Sequence, residues 1–143
     1  MSSPMIILVP VDGSANAERA VAHAITLAKA CQTAEIHLLN VQPPMRGDVS
    51  RFVGSDAVQD WHRDEAEKAL ASAKRMLDAA GLPYKTHIGV GNPGDVIGSF
   101  AKKLNCTQVV MGTRGLGSAL GLLLGSVAQH AVSHVDVPVT LIK

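Results

Sequence analysis

Aromatic side chains are scarce in this chain of 143 residues: Phe52, Trp61, Tyr84 and Phe100 are its only Phe, Trp and Tyr. Proteins that grip single strands of nucleic acid stack bases on aromatic platforms, and that supply is missing. A dominant charge is missing as well. Thirteen basic and twelve acidic residues give a formal net charge of +1 with no block of one sign, so no broad field gathers a polyanion, and nucleic acid is not an expected partner. Long hydrophobic runs are absent too. The stretch 119–128 is broken by Gly121, Gly125 and Ser126, well short of the roughly 20 residues a membrane span needs. The start, MSSPMIILVPVDGS, has no basic leader and its apolar run ends at Asp12, so it reads as a strand and not as an export signal. Cysteine is limited to Cys31 and Cys106, in no metal-ligand or redox spacing. They are expected as unpaired, mostly buried thiols of a reducing, cytoplasmic compartment, neither of them a nucleophile.

What remains is 47% hydrophobic and 17% charged, the balance of a packed globular domain. The length allows one domain over 1–143, able to bury about 68–70% of its unfolded surface. Met5–Val11 is an apolar run closed by Asp12-Gly13-Ser14, as for a central strand covered on both faces. Apolar residues at helical spacing follow from Asn16 to Ala30. Glu35–Val41 reads as a second strand stopped by Gln42-Pro43-Pro44, and Ser55–Ala80 as a long helix ended by Gly81 and Pro83. Tyr84–Val90 is a third strand. A helix is expected from near Asp95, its plausible cap, to near Leu104. Thr107–Met111, Ser126–His134 and Pro138–Ile142 complete the pattern as strand, helix and strand. Strict alternation with right-handed crossovers predicts one doubly wound, five-stranded parallel sheet, α/β in class, with helices on both faces. Ligands of such sheets bind beyond the carboxyl ends of the strands, where the winding reverses.

One stretch lies at such an end and is unusual in composition. GTRGLGSALGLLLGS carries glycines at 112, 115, 117, 121 and 125 before Ser126. Glycine lets the backbone approach a ligand and turn several amides inward as an anion nest, and Ser126 then opens a helix whose amides and dipole favour phosphate. No lysine precedes Ser126, which disfavours a P-loop, and the first strand does not run into Gly-x-Gly-x-x-Gly, which disfavours a dinucleotide fold of the NAD type. Asp12, at a strand end, could accept from an adenine or ribose donor; an Asx-turn or helix cap is its other role, and both can coexist. Arg114 is open between neutralising phosphate and facing solvent.

The pattern Gly-x2-Gly-x9-Gly-Ser, met by Gly112, Gly115, Gly125 and Ser126, resembles that of the universal stress protein family. ILVPVDGS, NVQPP, LLLGSVAQHAVSH and VPVTLIK extend the resemblance over nearly the whole chain, the 43–60 region being the least characteristic. The resemblance implies an adenine nucleotide alpha hydrolase-like fold and the ATP-binding branch of the family. It places Pro10, Asp12 and Val41 beside the adenosine, Gly112 at the ribose, and Gly115, Gly125, Ser126 and Val127 on the phosphates, with Mg2+ accompanying the nucleotide. It also implies a homodimer paired through 137–142, an apolar edge strand of the sort that invites pairing. The function implied is nucleotide sensing in a stress response, with a slow ATPase or a nucleotide-free dimeric scaffold as alternatives.

Other constellations are read as structural. His130 and His134 share a helix face, but the glutamate of His-Glu-x-x-His is missing and Asp136 is the only evident third ligand, so no metal site is assigned. Asp64, Glu65 and Glu67 alternate with Arg63 and Lys68 as a solvated helix face. No Gly-x-Ser-x-Gly elbow is present and no catalytic residue is assigned. Trp61 is expected to anchor a core or an interface.

Overall fold

The computed structural model describes residues 4–44, 55–114 and 124–143. Strand and helix alternate through them as β1 (Ile6–Pro10), α1 (Ala15–Ala30), β2 (Glu35–Gln42), α2 (Ser55–Ala80), β3 (Tyr84–Val90), α3 (Pro93–Lys103), β4 (Gln108–Gly112), α4 (Ser126–His134) and β5 (Val139–Ile142). All neighbouring strands pair in parallel, in the order β3-β2-β1-β4-β5. The chain winds outward from β1 through β2 to β3, returns across β1, and winds the other way through β4 to β5. The winding therefore reverses between β1 and β4.

Side-chain alternation along the central strands divides the core in two. Ile7, Val9, Ile36, Leu38 and Val110 point to one face, where α1 contributes Ala20, Val21 and Ala24 and α2 contributes Ala66, Leu70, Ala73 and Leu77. Leu8, Leu39, Val109 and Met111 point to the other, against Ile97 and Ala101 of α3 and Ala128 and Ala131 of α4. Fully burying a large aliphatic side chain stabilises by roughly 1.5–3 kcal/mol, so β1, whose three central residues are completely buried, is the axis of the fold.

Two local expectations are corrected. The cap of α3 is Asn92, whose side chain accepts from the Gly94 amide at 3.1 Å, and not Asp95. Pro93 fits the first helical position because it needs no donor there, so the helix starts two residues early and Asp95 falls in its first turn. Of the two roles expected for Trp61, the core one is not formed, since the side chain is 41% exposed; the interface role stays an expectation. The inward stripe of α2 runs back from Leu77 through Leu70 and Ala66 to His62, which is buried with Nε2 3.1 Å from the Pro43 carbonyl oxygen. Trp61, one residue earlier, lies about 100° around the helix from that stripe. The solvated face of α2 is as expected: Arg63 pairs with Asp60, Lys68 with Glu65 and Lys74 with Glu67.

Candidate functional site

The carboxyl ends of β1 and β4 are held by a set of buried polar side chains. After β1 the chain turns at Asp12, whose Oδ1 accepts from the Ser14 amide at 2.9 Å, an Asx-turn. Ser14 in turn caps α1, its hydroxyl accepting from the Ala17 amide at 3.1 Å. The Asx-turn foreseen for Asp12 is thus formed, while the cap is Ser14. Asn40, near the end of β2, donates from Nδ2 to the Val11 carbonyl at 2.8 Å and is itself fixed by Gln42 Nε2, which donates to Asn40 Oδ1 at 2.5 Å. The peptide leading into Asp12 is therefore oriented from the neighbouring strand.

Asn16 connects three more segments. Its Nδ2 donates to the Ile142 carbonyl of β5 at 2.9 Å, and its Oδ1 accepts the Arg114 amide at 2.7 Å. Gly112 is the reason it fits. A methyl group on that residue would overlap the Asn16 carboxamide, so the last residue of β4 has room for hydrogen alone. Thr113 continues the arrangement: its amide donates to Ile142 O at 2.9 Å, and its carbonyl accepts the Gly125 amide at 2.6 Å. The two ends of the glycine-rich stretch are thereby pinned together beside β1.

Gly125 is buried and is the N-cap of α4, where it supplies no side-chain cap bond; the first amide to close a helical turn is that of Gln129, onto Gly125 O. Ser14 and Asn92 do cap α1 and α3. Ser126 and Val127, in the uncapped first turn of α4, are exposed. The amide end of a helix carries partial positive charge, so this turn is suited to an anion.

Of the residues singled out from sequence, Pro10, Asp12, Gly112, Arg114, Gly125, Ser126 and Val127 are gathered at this end of the sheet. Val41 lies at the end of the adjacent β2, packed against the second core face. Gly115 is outside the described residues. Sequence reasoning missed Asn16, Asn40 and Gln42, which hold the frame; the signal was a polar residue standing where the apolar pattern calls for a core residue.

Away from this site, both cysteines are free thiols, as expected. Burial pushes the Cys106 thiol up to about 11, which keeps it protonated and unreactive. Asp136, the only third ligand evident beside His130 and His134 in the sequence, faces Lys102 at 3.8 Å, and Asp95 is the carboxylate that reaches both histidines. Among the described residues no helix is long and apolar enough to cross a membrane.

Comparison with known proteins agrees with this architecture. The model of the universal stress protein family matches residues 5–143. Universal stress protein MJ0531 of Methanocaldococcus jannaschii is 34% identical over 143 residues, covering 96% of this chain and 81% of its own. The structure of MJ0577 from the same organism superposes with a TM-score of 0.84 at 28% identity, over 97% of this chain and 95% of that one. A universal stress protein solved in complex with cAMP superposes with a TM-score of 0.73 at 26% identity, over 97% of each chain. A match running from β1 to the last residue, on a sheet of the same winding, leaves one conclusion: the chain belongs to the universal stress protein family.

Proposed function

We propose that this chain binds ATP in the crevice between the carboxyl ends of β1 and β4 and acts as a nucleotide-responsive regulator in a cytoplasmic stress response. The observation that supports the reading is the closure of the glycine-rich stretch: Thr113 and Gly125 are bonded to each other, which sets the uncapped start of α4 beside the end of β4. In this reading Pro10, which ends β1, Asp12 just beyond it and Val41 border the adenosine. Gly115, Gly125, Ser126 and Val127 then hold phosphate through backbone amides and the Ser126 hydroxyl, and Arg114 offsets charge. Mg2+ takes most of its ligands from phosphate and water and travels with the nucleotide. The cAMP complex of a relative supports an adenine nucleotide as the ligand class, and the Gly-x2-Gly-x9-Gly-Ser pattern favours a triphosphate.

The homodimer belongs to the same reading. β5 is an edge strand whose four residues are all partly exposed, so a second copy can extend the sheet surface through 137–142.

The test is to denature protein purified without added nucleotide, identify any small molecule released, and titrate ATP with Mg2+ into wild type and the Gly125→Val/Ser126→Ala double variant. Stoichiometric ATP binding in wild type, lost in the variant, is expected. A wild type with neither released nucleotide nor ATP-dependent heat refutes the reading. Phosphate release followed over hours separates a holder from a slow hydrolase, and light scattering of wild type against Leu141→Lys checks the dimer.

A further inference from the structure

On the face opposite α1 and α2, helices α3 and α4 cross at close quarters. Gly94 and Gly98 make this possible. A methyl at Gly94 would overlap the His130 ring, and one at Gly98 would sit 2.9 Å from the His134 carbonyl oxygen. The close approach brings Asp95, in the first turn of α3, against the two histidines of α4. Asp95 Oδ1 lies 3.4 Å from His130 Nε2 and 3.3 Å from His134 Nε2, and the three ligand atoms all fall within 4.8 Å of one another.

These spacings are long for charge-assisted hydrogen bonds, which run about 2.7–2.9 Å. They match the edge of a coordination tetrahedron: bonds of about 2.0–2.1 Å to an ion put neighbouring ligand atoms about 3.3–3.4 Å apart. A single carboxylate oxygen at that separation from two imidazole nitrogens has the spacing a shared cation needs. The second coordination layer is also in place. His134 Nδ1 lies 2.8 Å from the His130 carbonyl oxygen, to which it donates when it carries the proton, and that tautomer leaves Nε2 with a bare lone pair toward Asp95. The rings of His130 and His134 stack with centroids 4.1 Å apart, so taking up an ion requires the exposed His134 ring to turn out of the stack until both ring planes meet at the ion.

We propose that Asp95, His130 and His134 bind one divalent transition-metal ion, with Zn2+ the expected occupant and the fourth position open to water or an incoming ligand. Two imidazoles and one carboxylate suit Zn2+ over Mg2+ or Ca2+, which demand oxygen ligands. The ion joins α3 to α4 and is independent of the nucleotide crevice.

The experiment uses tag-free, chelator-stripped full-length protein without nucleotide, with Zn2+ affinity read by competition against a chromophoric chelator. One equivalent is expected to bind, raising Tm by about 4 °C or more at a hundredfold excess over Kd. His130→Gln, His134→Gln and Asp95→Asn are each expected to weaken binding by about tenfold or more, while a Cys31→Ser/Cys106→Ser variant binds as wild type does. The His134 side chain is exposed, so His134→Gln keeps the fold, and an unchanged metal-free melt verifies it. No stoichiometric Zn2+ binding by wild type overturns the proposal. So does equal binding by the His130→Gln/His134→Gln double variant.

Discussion

The two ends of this parallel sheet are built differently. At the carboxyl end Ser14, Asn16, Asn40, Gln42, His62 and Thr113 are all buried, and among the described residues every buried side-chain nitrogen and oxygen has a hydrogen-bond partner. Toward the amino end one buried polar side chain, His37, bonds to its neighbours His87 and Glu35, and the tie between β1 and β4 lies at the surface: the Thr107 hydroxyl accepts from the Ile6 amide and donates to its carbonyl, both at 3.0 Å and both exposed. Water can replace the second kind of contact and not the first. A buried amide left without a partner costs about 1–3 kcal/mol, so polar burial concentrated at one end marks that end as a rigid frame. The frame lies where the strand order reverses, the position at which such sheets bind ligands.

The sharpest way to break the comparison is Asn16→Ala. It removes both bonds of the carboxamide and takes the partner from the Arg114 amide, while Ile142 O keeps the Thr113 amide; with the space left by the buried side chain the expected cost is about 2–4 kcal/mol in urea unfolding. ATP affinity is expected to fall in the same protein, because β4, β5 and α1 lose their common tie. A cost below about 0.5 kcal/mol would show that the carboxyl end is no frame. Next in size is Gly112→Ala, where the added methyl must displace the Asn16 carboxamide. Overpacking of this kind costs about 1–3 kcal/mol, and Asn16→Ala/Gly112→Ala is expected to be less destabilised than the two single costs summed, since the smaller residue 16 makes room.

The fold was legible because periodicity reports burial. The run Met5–Val11 and the stripe of Ala66, Leu70, Ala73 and Leu77 follow from the faces they cover, and boundaries held to within one or two residues where proline or glycine punctuated them. The glycine-rich stretch marked the candidate site for a similar reason, since few other roles require so many glycines. Asn16 and Asn40 were not legible as braces. An isolated polar residue in an apolar pattern signals a buried bond without naming its partner, and the partners here lie 126 and 29 positions away. Asp95 escaped for the same reason: its histidines are more than thirty positions along the chain, brought near by the glycines of α3.

Smaller effects test whether the frame and the ligand contacts are separable. Ser126 is exposed and makes no cap bond, so Ser126→Ala is expected to leave stability within about 0.5 kcal/mol. Its ATP affinity is expected to drop about five- to tenfold through the lost hydroxyl bond. Equal affinity in calorimetric titration would take the hydroxyl out of the site. At the other end, Thr107→Val removes exposed bonds and is expected to cost about 0.5–1 kcal/mol with no change in ATP affinity. A Thr107→Val cost as large as that of Asn16→Ala would erase the distinction between the two ends.

The weakest effect expected is a pH response located away from the frame. His87 of β3 and His37 of β2 stack with centroids 5.1 Å apart, His37 Nδ1 lying 2.8 Å from His87 Nε2. Burial is the first cause holding His87 below the usual imidazole value, followed by the charges of His37, Lys103 and Lys85. Below about pH 6.5 the unfolded chain takes up a proton at this position that the folded chain resists, so folding loses stability as pH falls from there toward the depressed folded value, and above pH 6.5 the contribution is fully present. Urea midpoints measured from pH 7.5 to 5.5 are expected to decline in wild type and to decline less in His87→Gln, whose amide can still bond His37. The range stops at pH 5.5 because carboxylate protonation dominates in stronger acid. Parallel declines in the two proteins would remove His87 as the source. A decline that Asn16→Ala abolished would instead place the pH response in the frame at the carboxyl end.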